Sequence, residues 1–225
     1  MRLVPPHPVR RLGDLQGKVG VASYFDQLDK ILKQVNGRVL DLGSGGRRLN
    51  DRTLNLDVVF GSQVDVVSRG EALPFRANSF DCVVVQQVLQ YVETPDRLLA
   101  EVRRVLKPGA TIFLEVPFLF QKNECRQDYW RWTEEGLALT AGRHFNRCLS
   151  GVSMGAGSAI SSLLRWTSRA LISGGEKGRH KYLWWGSWIV TGWCTFWLKY
   201  LDFLLKSNSL SGMVAAHVFY VGKKK

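Results

Sequence analysis

Two acids stand where ligand chemistry is plausible. Asp41 lies inside Val39-Leu40-Asp41-Leu42-Gly43-Ser44-Gly45-Gly46, and Asp57 closes the next apolar run, Thr53-Leu54-Asn55-Leu56-Asp57. An isolated acid of this kind caps a turn. Two of them, one strand apart beside glycines, favour contact with a ligand beyond the strand ends. Glycine suits that place because a Cβ would block the approach and such turns often need positive φ. The chemistry on offer is polar recognition, with no metal site. Cys82, Cys125, Cys148 and Cys194 are far apart, without a CxxC pair, which argues against zinc or a disulfide framework and for a reducing compartment.

The elements that must position these acids alternate. Residues 21–35 read as an amphipathic helix, with Tyr24, Leu28, Ile31, Leu32 and Val35 on one face. Strands are expected at 38–42, 53–59, 64–67, 80–86, 111–116, 145–152 and 213–221. Thr94 and Pro95 open a helix whose buried stripe is Leu98, Leu99, Val102, Val105 and Leu106, and Lys107-Pro108-Gly109 ends it. Another helix opens at Thr133-Glu134-Glu135. This order predicts an α/β fold with a largely parallel sheet and crossover helices. Only residues 47–52 separate the glycine turn from the second strand. At about 3.6 residues per turn, the usual first crossover helix cannot fit.

The blocks VLDLGSGG, LNLD, EALPFRANSFDCVVVQQVLQYV, LLAEVRRVLKPGATIFLEVPF and DYWRWTEEGL resemble class I S-adenosylmethionine-dependent methyltransferases that act on small molecules and lipids. The resemblance runs from Val39 to about Thr140. It implies a Rossmann-like seven-stranded methyltransferase sheet, helices on both faces and a helical insertion before the last strand. It implies S-adenosylmethionine as cofactor, with Asp41, Gly43, Ser44 and Gly45 along its methionine and ribose part. Asp57 would accept from the ribose hydroxyls with Val58 beside it. Gly70, Glu71, Ala72 and Leu73 would lie against adenine, and Gln86 would approach the methionine end. Gln87, Tyr91, Phe118, Asp128, Tyr129 and Arg131 are the acceptor-side candidates, although Asp128 and Arg131 also read as an ion pair ordering their loop and Thr133 as a helix cap. No catalytic base is identified, and His144 and His217 read as core or surface residues.

Three positions depart from the family pattern. Arg69 stands where an acid often accepts from the adenine amino group, so either Glu71 substitutes or backbone contacts hold adenine. The short first crossover removes a helix N-terminus that would attract the methionine carboxylate, which Arg47 or Arg48 could replace. Tyr91 occupies a place where histidine is common. A nicotinamide-binding domain is the nearest rival, but counting from Gly46, Leu49 stands where its third glycine is needed.

The net charge is +12, and from residue 151 onward ten Lys and Arg face only Glu176 and Asp202. Nucleic acid is disfavoured as partner, since no Asn-Pro-Pro-aromatic or Pro-Cys motif is present. Residues 1–20 form a basic, proline-rich arm without the apolar core of a secretory signal, which points to the cytoplasm. Residues 21–225 form the methyltransferase domain, including a hydrophobic helical insertion at 155–208. In that insertion Ser187, Thr191, Thr195, Lys199, Asp202 and Lys206 make one polar stripe on a tryptophan-rich helix. A single membrane span is forbidden, because strands six and seven share a sheet. Burial in the domain or in a homodimer interface is one reading. Preferred is a monotopic hairpin over residues 160–206, peripheral on an anionic cytoplasmic membrane face. The expected activity is methyl transfer to a small-molecule or lipid-like acceptor; the alternative is a membrane-associated binding protein of this fold without catalysis.

Overall fold

The computed structural model describes residues 23–123, 127–173 and 209–225, with residues 186, 190, 191, 193–195, 197, 198, 200 and 202 between the last two stretches. Residues 1–22, the expected N-terminal arm among them, and much of 174–208 lie outside the described residues. Along the chain come α1 (Ser23–Gln34), β1 (Val39–Leu42), β2 (Thr53–Asp57), β3 (Val66–Val67), β4 (Phe80–Gln86), α2 (Pro95–Val105) and β5 (Leu106–Pro117). They are followed by α3 (Glu134–Gly142), β6 (Phe145–Met154), α4 (Ala156–Ser173) and β7 (His217–Lys224). The seven strands form one sheet in the order β3-β2-β1-β4-β5-β7-β6. All pairs are parallel except those of β7, which runs antiparallel to both β5 and β6.

Alternation along the strands sorts their side chains between two faces. Leu40, Leu42, Val83, Val85, Ile112 and Leu114 pack with α2 and α3 in the larger core. Val39, Cys82, Val84, Phe113, Phe219 and Val221 face the other way, covered by Leu28 of α1 with Ile31 and Leu32. Helices therefore lie on both faces, unevenly.

No helix joins β1 to β2. There the second face is polar: Thr53, Asn55 and Asp57 alternate with Leu54 and Leu56, and side-chain hydrogen bonds do the work a crossover helix would do. The Asn55 Nδ2 donates to the carbonyls of Arg47 and Gln63, both at 2.7 Å. Its backbone N–H donates to Asp65 Oδ2 at 2.8 Å. Arg48 reaches over to the Thr53 carbonyl at 2.8 Å and to Asp65 at 2.7 Å. The backbone carbonyls of Arg47, Thr53 and Gln63 are thereby satisfied without a helix, although Asn55 Oδ1 itself is buried without a partner.

Some boundaries differ from the sequence reading. Pro95 occupies the first turn of α2, but Thr94 makes no side-chain capping bond. Lys107, Pro108 and Gly109 lie within β5 instead of between helix and strand. Phe80 pairs with Leu106 and Cys82 with Thr111, so residues 107–110 bulge from the ladder, with Gly109 at φ +71° and Lys107 bonded to Asp81. The last strand starts at His217, four residues later than expected. Residues Ser209–Val214 form 3-10 helix instead, and β7 extends through Lys224, whose Nζ is held by Asn78 and the Leu106 carbonyl.

Burial pushes the Cys82 thiol up to about 12, with the Asp81 charge adding to it, so the native thiol is protonated and shielded. Leu28→Ala should cost about 2–5 kcal/mol in urea unfolding. It should also speed modification of Cys82 by a thiol reagent, with peptide mapping separating that site from exposed Cys148 and Cys194.

Candidate functional site

Strand order reverses between β1 and β4, and the crevice beyond their carboxyl ends is where open α/β sheets take ligands. The glycine turn closes over that end. The N–H groups of Gly43 and Ser44 both donate to the Leu56 carbonyl, at 2.7 and 3.1 Å. Gly43 and Gly45 have φ of +76° and +62°, a region that glycine enters without strain. A Cβ on Gly43 would overlap Val88, whereas nothing stands within 4 Å of one built on Gly45 or Gly46. The turn is thus packed behind and open in front.

Asp57, at the end of β2, is buried. Its Oδ2 accepts from the Gly45 N–H at 2.8 Å and its Oδ1 from the Val59 N–H at 3.0 Å. Each oxygen keeps a second lone pair, so the carboxylate is oriented yet able to accept from two further hydroxyls. Asp41 is buried beside it and paired with Arg47 at 3.3 Å through both carboxylate oxygens. Burial raises the Asp41 carboxyl above its ordinary range, Arg47 draws it back, and Asp57 pushes it up. The Ser44 Oγ is buried without a hydrogen-bond partner. An oriented carboxylate, an orphaned hydroxyl and two glycines with open space fit a ribose-bearing, cationic cofactor such as S-adenosylmethionine.

The other expected cofactor residues divide. Val58 is an exposed apolar side chain next to Asp57. Gly70 is buried, and a Cβ there would press on Leu98 and Leu42, so packing alone requires glycine. Leu73 turns its side chain into the core while its backbone is held by Glu101 at 2.9 Å and Arg104 at 3.0 Å. It offers the cleft only main chain. Glu71 is half-buried, Ala72 is exposed, and Arg69 is exposed. Arg48 is committed to Thr53 and Asp65, which leaves Arg47 as the arginine facing the cleft.

Beyond β4 and β5 lies a cluster that spacing along the sequence does not reveal. Glu115 is fully buried. Its Oε2 accepts from Gln86 Nε2 at 2.9 Å and its Oε1 from Gln87 Nε2 at 3.0 Å. Oε1 is also 3.0 Å from His217 Nδ1. Gln87 is held at φ 56°, with its N–H on the Glu115 carbonyl at 2.9 Å. The same Nδ1 is 3.1 Å from Gln87 Nε2, so it donates to the carboxylate in one tautomer and accepts from the amide in the other. Nε2 is buried without a partner, and it is an acceptor when the proton is on Nδ1. The Phe120 ring packs edge-on against the imidazole at 4.7 Å. His217 is buried, as the sequence suggests; its union with Glu115 comes from the antiparallel pairing of β7 with β5.

The acceptor-side loop, residues 118–133, is stapled by its own polar groups. Arg131 pairs with Asp128 at 2.5 Å and donates to the carbonyls of Phe120 at 3.1 Å and Gln121 at 2.9 Å. The ion-pair reading of Asp128 and Arg131 therefore holds. Tyr129 Oη donates toward Glu93 and Gln127, and Asn123 Nδ2 donates to Tyr91 Oη at 2.8 Å. Thr133 Oγ1 accepts from the Gly136 N–H at 3.1 Å and caps α3. Phe118 packs against the core, its N–H on the Ala216 carbonyl at 2.8 Å.

Residues 47–114 match a family model described as a methyltransferase domain. A ubiquinone/menaquinone biosynthesis C-methyltransferase of Hahella chejuensis is 35% identical over 85 residues, covering 37% of this chain and 31% of that protein. The chain thus spans about a third of that curated relative. Phosphoethanolamine N-methyltransferase 2 of Haemonchus contortus, solved with S-adenosyl-L-methionine, superposes with a TM-score of 0.54 at 18% identity, over 89% of this chain and 52% of that one. The [4+2]-cyclase SpnF gives a TM-score of 0.52 at 16% identity, over 96% and 80%. Likeness at that identity concerns the fold alone.

Burial on its own would raise the Asp128 carboxyl. Hydrogen bonds from Arg131 and the Asn123 amide, with the Arg131 and Lys122 charges, hold it below its ordinary value. A depressed carboxyl stabilises the fold above its unfolded value, about 3.9, and the benefit is lost as pH falls below that. Asp128→Asn should lower the melting temperature at pH 7 by about 3–6 °C. The gap to the parent should narrow in melts run below about pH 4.

Proposed function

Because the chain belongs to the class I S-adenosylmethionine-dependent methyltransferase family, we propose that it transfers a methyl group to a hydrophobic, lipid-like acceptor. The observation that carries this reading is the Asp57 carboxylate, fixed by Gly45 and Val59 beside the topological switch, with β1 and β4 between its strand and that of Glu115. S-adenosylmethionine supplies an electrophilic sulfonium methyl carbon with a neutral thioether as leaving group. The protein then has to align the nucleophile and exclude water. Asp57 would hold the ribose hydroxyls, with Val58 against adenine. Arg47 would attract the methionine carboxylate while keeping Asp41 paired. Gln86 and Gln87 would frame the transfer point.

An acceptor that loses a proton needs a base. With the imidazole proton on Nδ1, toward Glu115, His217 Nε2 would take the acceptor's proton. The apolar character of the acceptor is supported by Phe120, whose ring packs on this histidine, and by a relative named for ubiquinone and menaquinone biosynthesis. A second reading, ligand binding without transfer, draws on Arg69, which can only donate where an adenine acceptor is usual, and on the missing first crossover helix.

Calorimetry with S-adenosylmethionine should show binding that Asp57→Ala weakens at least tenfold, about 1.4 kcal/mol. Radiolabelled methyl transfer to extracted lipids should fall in His217→Asn, with cofactor affinity retained. Absence of cofactor binding sinks the methyl-transfer reading. Binding without transfer favours the second one.

A further inference from the structure

Past β6 the polarity of the chain turns inside out. Residues 155–216 leave the sheet at Met154 and return at His217, which are paired neighbours. The helix α4 packs on the described residues of 186–202, which are helical except for Trp197 in a turn. What joins the two helices is polar. Asp202 is buried, and its carboxylate accepts from the Gly157 N–H at 2.6 Å, the Ser158 N–H at 3.2 Å and Ser158 Oγ at 2.8 Å. It thus caps α4 from the other helix. Ser161 Oγ donates to Thr195 Oγ1 at 2.8 Å, and Thr195 is buried too. A Cβ on Gly157 would overlap the Leu198 carbonyl, so the backbones touch there through glycine.

What faces outward is apolar. Leu171 is 80% exposed, Trp193 76%, Trp197 65%, Val190 60% and Tyr200 54%. A helix pair folded for water buries its apolar stripe and wets its polar one. This pair does the reverse. Small residues and hydrogen bonds at the contact, with large apolar side chains outside, is the arrangement favoured where lipid surrounds helices.

We propose that this hairpin docks its outer face into the surface of an anionic lipid bilayer. Trp193, Trp197 and Tyr200 suit the headgroup boundary, where amphipathic rings have one dry side and one wet side. The charge fits as well. In the sequence, residues 174–185 carry Lys177, Arg179 and Lys181 with Glu176 as their one acid, and cations near an anionic leaflet are attracted to it. No helix among the described residues is long and apolar enough to cross a membrane, and docking in the interface needs no span. Its base is tied to the acceptor loop, since Ser162 Oγ bonds Gln121 Oε1. It therefore holds the His217 end of the sheet toward the bilayer. The proposal deepens the lipid-like acceptor suggested above, but stands without methyl transfer.

The test is co-sedimentation of the full chain with vesicles. Phosphatidylglycerol–phosphatidylcholine vesicles should pellet it, with partition falling as salt is raised, and pure phosphatidylcholine should pellet it at least fivefold less. The double variant Trp193→Ser/Trp197→Ser, verified by an unchanged melting curve, should lose at least tenfold in partition. The triple variant Lys177→Gln/Arg179→Gln/Lys181→Gln should lose the preference for anionic lipid. The proposal is overturned if the parent stays in the supernatant with every vesicle or if the double variant pellets equally well. It is also overturned if light scattering shows a dimer that the double variant dissolves, which would assign the face to a second copy. Calorimetry with S-adenosylmethionine on the same samples keeps the two readings apart: cofactor binding without vesicle binding overturns docking alone, and the converse overturns methyl transfer alone.

Discussion

Asn55 occupies the position on which the cofactor end of the sheet depends. Its side-chain amide bridges the Arg47 and Gln63 carbonyls, and its backbone N–H is held by Asp65. An α/β sheet normally shields this face with the first crossover helix, which also satisfies the turn after β1. Here side chains from both flanks hold the backbone carbonyls of Arg47, Thr53 and Gln63. Because Asn55 fixes the Arg47 carbonyl, it fixes the turn that sends the Arg47 side chain back to Asp41. That pairing lets two buried carboxylates, Asp41 and Asp57, coexist at the ends of adjacent strands. An unpaired charge so deeply buried would be costly, and a second one beside it more so.

Polar groups that replace an expected apolar contact recur at the far edge. Glu115 gathers Gln86, Gln87 and His217 at the meeting of β4, β5 and β7, and Asp202 gathers the first turn of α4. Each is a buried carboxylate surrounded by donors, which satisfies it and fixes one geometry. The two clusters bracket the return of the chain into β7. Rigidity at the ligand end of this sheet is therefore largely electrostatic, whereas its middle rests on packed aliphatic side chains.

Much of this was legible in the sequence. The run Phe80–Gln86 reads as a buried strand because nothing polar interrupts its three valines, and Leu98, Leu99, Val102 and Val105 mark a helix face by spacing alone. The missing crossover follows from counting residues 47–52. Pairings across long stretches of chain were not legible. Glu115 and His217 are 102 positions apart, and neither has a local pattern that points to the other. The apolar run through Val214 suggests too early a start for β7, because Met213 and Val214 are exposed in a 3-10 turn. The polar stripe through Thr191, Thr195 and Asp202 was visible as a period. Periodicity gives a face its composition, however, and not its direction. Only the Asp202 and Thr195 contacts with α4 show that the stripe points inward.

The place of β7 has a consequence for how such a molecule is assembled and altered. It follows β6 in the chain yet lies between β5 and β6, so those two strands keep unpaired edges until it arrives. Its ladder with β5 joins residues about a hundred positions apart, Pro117 with His217 among them, and such pairings form slowly. Met154 and His217 end as neighbours in antiparallel strands, a junction that a two-residue turn could close. Ala215 and Ala216 are already part of that junction, bonded to Leu119, Phe118 and Met154, and each doubling of the loop before them costs only about 0.6 kcal/mol in closure entropy. A long structure could be grafted at that junction, or exchanged for another, with the ladders of the seven strands left in register.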